Sequence, residues 1–302
     1  MNTIPFYIID VFANQKYGGN QLAVFVDFEN ILSQEMMQTM AKEINFAETT
    51  FIKSNENDTR FDVRIFTPEH EVPFAGHPSL GTAYIIAKYI LKTPPLQLTL
   101  ALKHSDITIS IPDSVDDILS MQQAQPTFAE FFTVSEIASE LNIPIEMIDN
   151  TLPIQEVSTG LPYIIVPLKN LATIESLKFD YATLQNFLVA RNKYRTNSKT
   201  GHSTSFLFFT NQTHNADNQY HSRMILLENG RVSEDAATGS ANGCLLAYLL
   251  KYQSPQIKAT VEQGFQLNRK SYLYLNGSLE NEFYTLNVGG RVKLVSVGEW
   301  LV

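Results

Sequence analysis

Hydrophobic and polar positions change period repeatedly along the chain, and each change marks an expected element. Residues 6–11 and 22–26 are β-rich runs separated by a Gly18-Gly19-Asn20 turn. Met36, Met37, Met40, Ala41 and Ile44 recur at helical spacing behind Ser33, a suitable cap. Residues 49–52 read as a strand with Glu48 at or just before its start, and 61–66 as a strand closed by Thr67-Pro68. Pro78 stands where the first position of a helix would be, and the run from Ile85 to Leu91 is apolar nearly all round. That pattern predicts a buried central helix, stopped by Lys92-Thr93-Pro94-Pro95. Strands near 96–102 and 107–111 complete the first half.

The second half begins with short helices at 134–141 and 145–148 and strands at 154–158 and 163–166. A helix over 181–191 follows Asp180, and strands follow at 205–209 and 223–227. Glu234-Asp235 and the small residues Ala236-Ala237-Thr238-Gly239-Ser240-Ala241 then lead into a second apolar helix through 244–250. Strands near 257–261, 271–275, 282–288 and 292–297 finish the chain.

The two apolar helices have matching approaches. Glu71 and Glu234, Gly76 and Gly239, and His77 and Ser240 stand at one constant offset. Upstream, Arg64-Ile65-Phe66 echoes Arg223-Met224-Ile225, with a longer loop before Glu234. The echo predicts a duplication. The fold class is α+β: two pseudo-symmetric domains, each a curled, mostly antiparallel sheet around a central helix. Residues 1–117 with 290–302 form the N-terminal domain and 118–289 the C-terminal one, the linker lying at 112–117. A helix start leaves free N–H groups that attract anions. If the two starts face one cleft, that cleft suits a small carboxylate.

Composition narrows the options. With 302 residues, 44% hydrophobic and 18% charged, the chain builds real cores. A net charge of −9 and the lack of a Lys/Arg cluster argue against nucleic acid or an anionic membrane as partner. Cys244 is the one cysteine, so no internal disulfide forms. No secretion signal opens the chain and no apolar run is long enough to span a bilayer, so the expected location is the cytoplasm. A homodimer is the oligomer to test for.

Candidate chemistry sits at the two helix starts and at one strand start. Glu48, in an apolar and β-leaning neighbourhood, is either a plain loop-end carboxylate or a partly buried acid able to take and give a proton. His77 and Asp235 are either structural residues or groups that orient a ligand. Arg64 and Arg223 read as strand residues paired with local carboxylates. A phosphate loop fails because Thr82 replaces the required lysine, and His70-Glu71 lacks the spacing of a zinc helix. No metal and no cofactor is expected.

A resemblance adds to these readings. Gly19-Asn20-x-x-Ala23-Val24, Asn45-x-x-Glu48-Thr49-x-Phe51, Arg64-x-Phe66-Thr67-Pro68-x-x-Glu71 and Gly76-His77-Pro78-x-x-Gly81 are similar to the phenazine biosynthesis PhzF-like family. So are Thr159-Gly160-Leu161-Pro162, Glu234-Asp235-x-x-Thr238-Gly239-Ser240-Ala241, Gln263-Gly264 with Arg269, and Gly289-Gly290. The resemblance implies the diaminopimelate epimerase-like fold, with the active site between the domains and the C-terminal strand returning to the first. It also implies a cofactor-free isomerase that moves a proton on a small cyclic amino acid, trans-2,3-dihydro-3-hydroxyanthranilate. Glu48 matches the catalytic glutamate, and Gly76, His77, Asp235, Gly239 and Ser240 match residues that line the site. Three positions depart from the family pattern: Ala47 for the usual Ser, and Gln21 and Ala236 for the usual Pro.

Two other functions compete with this one. A two-thiol racemase of the same fold needs facing cysteines, and this chain has only Cys244, inside the second helix. A non-catalytic small-ligand-binding or interaction protein would keep the site without proton transfer.

Overall fold

The computed structural model describes residues 2–103, 105–197 and 201–302. The chain divides into two units, residues 1–122 with 289–302, and residues 123–288.

The first unit contains β1 (Thr3–Val11), β2 (Asn20–Val26), α1 (Gln34–Ile44), β3 (Glu48–Asn57), β4 (Arg60–Phe66), β5 (Glu71–Val72), α2 (Gly76–Ile85), β6 (Gln97–Leu102), β7 (Ser105–Ser110) and β8 (Leu119–Gln122). The C-terminal strand, Val292–Leu301, returns to pair antiparallel with β1. From there β1 pairs antiparallel with β2, and β2 runs parallel to β3. Next, β3 pairs antiparallel with β4, and β4 lies parallel to β6 while also holding β5. The 112–117 loop joins β7 to β8.

The helix α2 packs against β1, β2 and β3, and every residue from His77 to Ile85 is buried. Close packing explains Gly81, where a Cβ would lie 2.7 Å from Leu22 Cδ2. On the other side of the strands, Phe25, Phe51 and Phe66 stack edge and face with Trp300 beside Phe25. Pro78 is the third helical residue rather than the first, because the helix begins at Gly76 with Ala75 as its cap. The first turn makes few intrahelical demands on its N–H groups, so a proline is accepted anywhere in it.

The second unit contains β9 (Thr127–Phe132), α3 (Val134–Glu140), β10 (Ile154–Ser158), β11 (Pro162–Pro167), α4 (Leu171–Ser176), α5 (Tyr181–Ala190), β12 (Ser205–Thr210), β13 (Tyr220–Glu228), β14 (Arg231–Asp235), α6 (Gly239–Tyr252), β15 (Gln256–Gln263), β16 (Ser271–Glu280) and β17 (Phe283–Gly290, its last two residues in the first unit). Its pairings repeat those of the first unit in order. β10 is antiparallel to β11, β11 parallel to β12, and β12 antiparallel to β13. β13 then holds β14 antiparallel and β15 parallel. α6 is buried from Ala241 to Leu250 and packs on β10, β11, β15 and β16.

The echo in sequence is also an echo in contacts. Arg64 sits opposite Phe51, and Arg223 sits opposite Phe208. Arg64 forks onto Glu71 through Nε at 2.8 Å and Nη2 at 2.9 Å. Arg223 forks onto Glu234 through Nε at 3.1 Å and Nη2 at 2.8 Å. The arginine of the second pair is the more deeply set, 10% exposed against 27% for Arg64, and Arg223 Nη1 also donates to the carbonyls of Ile174 and Leu177. Hydrogen bonding to Arg64 holds the Glu71 carboxyl below its usual range. Removing one partner of a buried pair leaves the other charge uncompensated, at a cost of about 3–5 kcal/mol.

A second buried carboxylate staples a loop. Glu262 accepts from the N–H groups of His214 (2.8 Å) and Asn215 (2.9 Å), from Asn218 Nδ2 (2.7 Å) and from His221 Nδ1 (3.1 Å). Burial alone would raise its pKa, but the four hydrogen bonds outweigh that and lower it from 4.5 to about 2.

Two predictions follow from these carboxylates. Arg223→Ala should lower unfolding free energy by about 3 kcal/mol or more. Arg64→Ala, at a more exposed site, should cost less; urea titration of both variants measures the order. Glu262 contributes stability in full above pH 4.5, and that contribution is lost as pH falls towards 2. Glu262→Gln should therefore be the less stable protein at pH 7, and the gap should shrink on acidification in the same titration.

Candidate functional site

In the first unit, two elements converge on one carboxylate. Glu48 is the first residue of β3 and lies beside Leu22 in the parallel register with β2. Its side chain is 20% exposed, and Oε2 lies 3.5 Å from His77 Nε2. His77 is the second residue of α2 and is itself buried. The imidazole Nε2 lies 3.3 Å from the Gln21 carbonyl, and Nδ1 lies 3.4 Å from Asn20 Nδ2. A carbonyl can only accept and an amide NH2 can only donate, so these partners assign the proton to Nε2 and the lone pair to Nδ1.

Burial pushes the His77 pKa down to about 4, with the Gln21 carbonyl opposing the shift only partly. His77 is therefore neutral near pH 7, and its contact with Glu48 is polar rather than ionic. Its Nε2–H bonds to the Gln21 carbonyl, and Glu48 Oε2 lies near that nitrogen at 3.5 Å without a hydrogen bond between them. The Gln21 contact uses the backbone carbonyl, so the side chain at this departure from the family pattern plays no part in it.

The helix start adds donors. The ladder of α2 begins with Ser79 N–H on the Ala75 carbonyl, and Pro78 brings no N–H. The N–H groups of Gly76 and His77 are outside that ladder. Gly76, His77 and Glu48 thus belong to one corner of the first unit.

In the second unit, Asp235 closes β14 and the α6 ladder begins with Asn242 N–H on the Thr238 carbonyl. Gly239 and Ser240 occupy the first turn. Thr238 Oγ1 donates to Asp235 Oδ2 at 2.5 Å, and Ser240 Oγ shares a 2.7 Å hydrogen bond with Tyr163 OH. Asp235, Gly239 and Ser240 are thus gathered at the start of α6. Tyr163, Thr238, Asn20 and Gln21 belong to these corners, yet none was named as a site residue from sequence. Asn20 and Thr238 lie inside quoted motifs, while Tyr163 carries no sequence signal beyond its position after Pro162.

The duplication shows an asymmetry. Glu48 lies three residues before Phe51, the partner of Arg64. The residue three before Phe208, the partner of Arg223, is Ser205. The carboxylate has a hydroxyl at the matching place.

Other reactive groups are closed off. Cys244 is buried in α6 and burial pushes its thiol up to about 12, offset only in part by the Thr159 contacts. A thiolate base is unavailable there. Among the described residues, His214, His221 and Glu262 have ligand atoms close enough to share a metal ion. The four donors already on Glu262 make that carboxylate a loop staple instead.

The sequence pattern of the phenazine biosynthesis-like protein family matches residues 9–298. The chain is 32% identical over 296 residues to a trans-2,3-dihydro-3-hydroxyanthranilate isomerase of Pseudomonas aeruginosa, covering 97% of this chain and 94% of that protein. A crystal structure of a PhzF-family phenazine biosynthesis protein from Bacillus anthracis superposes with a TM-score of 0.86 at 26% identity, covering all of both chains. A hydroxyproline epimerase from Agrobacterium vitis shares the fold at a TM-score of 0.58 and 10% identity, over 98% of this chain and 92% of that one. On these grounds the chain belongs to the phenazine biosynthesis-like protein family, as an isomerase.

Proposed function

We propose that the protein is a cofactor-independent isomerase in which Glu48 carries a proton between two carbons of one small carboxylate substrate. The observation that supports this reading best is the half-enclosed Glu48 carboxylate 3.5 Å from a neutral, buried His77. As carboxylate, Glu48 takes the proton from a carbon while the electron pair moves into the substrate's conjugated system. As carboxylic acid, it returns the proton at a second carbon, and the enzyme ends as it began.

The neutral His77 imidazole, 3.5 Å from Glu48 Oε2, leaves the carboxylate without a counter-charge from this neighbour and is placed to orient it as the substrate binds. The N–H groups of Gly76 and His77, outside the helix ladder, are the donors assigned to negative charge that develops on the substrate. Asp235, Gly239 and Ser240 are assigned to substrate binding. The matching position in the second unit is Ser205, which favours a single acid–base group over a pair. The named activity of the Pseudomonas aeruginosa relative makes trans-2,3-dihydro-3-hydroxyanthranilate the first compound to test.

The test is proton NMR of that compound during turnover, beside ligand binding by calorimetry. Glu48→Gln keeps the shape and removes the proton carrier, so turnover should fall by ~10²–10⁴ while binding persists. A parental rate in Glu48→Gln sinks the mechanism. Binding without turnover in the parent protein supports a non-catalytic ligand-binding role for this chain. Cys244→Ala should turn over like the parent, because its thiol stays protonated. His77 loses its proton near pH 4, so no step in the rate profile between pH 5.5 and 8 should disappear in His77→Gln. A step near pH 6.5 that vanishes in that variant would contradict the neutral imidazole.

A further inference from the structure

Gln263, the last residue of β15, is fully buried and takes no part in the binding or proton transfer described above. All four hydrogen-bonding positions of its amide are in use. Nε2 donates to the Asp235 carbonyl at 3.0 Å and to Thr238 Oγ1 at 3.0 Å. Oε1 accepts from Asn242 Nδ2 at 2.8 Å and, at 3.4 Å, from the Thr238 N–H. A flipped amide would set donors against donors, so the partners fix its orientation.

This has a consequence for Thr238. Its hydroxyl oxygen accepts from Gln263, so its own proton is directed onto Asp235 Oδ2, 2.5 Å away. One buried side chain thereby sets both the backbone carbonyl of Asp235 and the partner of its carboxylate. The next residue acts on the same turn. Gly264 has φ +75, and a Cβ there would lie 2.4 Å from the Ala236 carbonyl. Only glycine lets the strand end approach so closely in that conformation. In the first unit the matching registers place Leu102 where Gln263 stands, so this polar device belongs to the second unit alone.

We infer that Gln263 is a positioning residue: through Thr238 it holds Asp235 and the first turn of α6 in the geometry that binds the substrate. The inference rests on the binding role proposed for Asp235 and Ser240. A residue that served only as core filling would influence stability and leave the turn and its ligand unchanged.

The experiment uses the full chain with Gln263→Leu and Gln263→Glu, read by amide hydrogen exchange over residues 236–240, urea stability and calorimetry with anthranilate. Anthranilate is a stable cyclic amino acid with the carboxylate the proposed site would take. Gln263→Leu should speed exchange of the turn at least ~10-fold and weaken anthranilate at least ~10-fold, as expected for lost buried hydrogen bonds. Gln263→Glu keeps the shape but presents an acceptor to two acceptors. It should match the leucine variant at pH 8 and recover partly at pH 5, as its acid protonates and can donate again. Combined with Asp235→Ala, Gln263→Leu should add little further loss of binding.

Turn exchange at the parental rate, or fully additive losses with Asp235→Ala, would overturn the inference. If Gln263→Leu fails to fold, Gln263→Glu carries the same comparisons. If the parent does not bind anthranilate, or Asp235→Ala binds it normally, the proposed binding role falls. The exchange rates then decide alone whether Gln263 holds the turn.

Discussion

The arginine–glutamate fork is the constraint on which both units depend. In each, an arginine in the middle of a strand reaches a glutamate on the segment that leads to the central helix. A bidentate pair fixes direction as well as distance, because the guanidinium and the carboxylate must lie nearly in one plane. The fork therefore sets where the following turn begins. It also neutralises a glutamate that would otherwise sit charged beside a buried helix start. The two candidate-site corners, at Gly76-His77 and at Gly239-Ser240, lie a few residues beyond these tethered glutamates.

On that repeated frame the two units carry different chemistry. The first has the carboxylate of Glu48 beside the imidazole of His77, which Asn20 and the Gln21 carbonyl hold. The second has Ser205 in the carboxylate's place, and invests instead in a polar net of Asp235, Thr238, Asn242 and Gln263. A duplicated fold can thus be specialised by strand-end residues while the register of its strands stays fixed. Burial acts in opposite senses on the two kinds of group involved. It keeps His77 neutral and Cys244 protonated, while dense hydrogen bonding keeps Glu262 charged despite its burial.

Much of this was legible in the sequence, for physical reasons that can be named. The apolar faces of α2 and α6 are nearly continuous, so burial was forced. The Arg64–Glu71 and Arg223–Glu234 echo was visible because both partners of each fork must be kept for either to be useful. Ser33 and Asp180 announced their helices, and both accept the expected cap hydrogen bonds. Other features left no such trace. β5 is two residues long, and β9 and β14 carry charges and exposed positions that blur alternation. The start of α2 was placed two residues late, because proline at the first helical position is the usual signal and here it stands third. Tyr163 and Gln263 act through contacts with residues 77 and 25 positions away, and no local pattern reports such pairings.

The proposed mechanism makes one carboxylate, Glu48, the proton carrier. Chemical rescue measures this most directly: turnover of trans-2,3-dihydro-3-hydroxyanthranilate by Glu48→Ala, followed by NMR as sodium formate is added. If Glu48 is that carrier, the variant is nearly inactive alone and gains turnover with rising, saturating formate, because a free carboxylate can enter the space the side chain left. Parental turnover in Glu48→Ala without formate would contradict it, and the proton carrier would then have to be sought elsewhere in the chain.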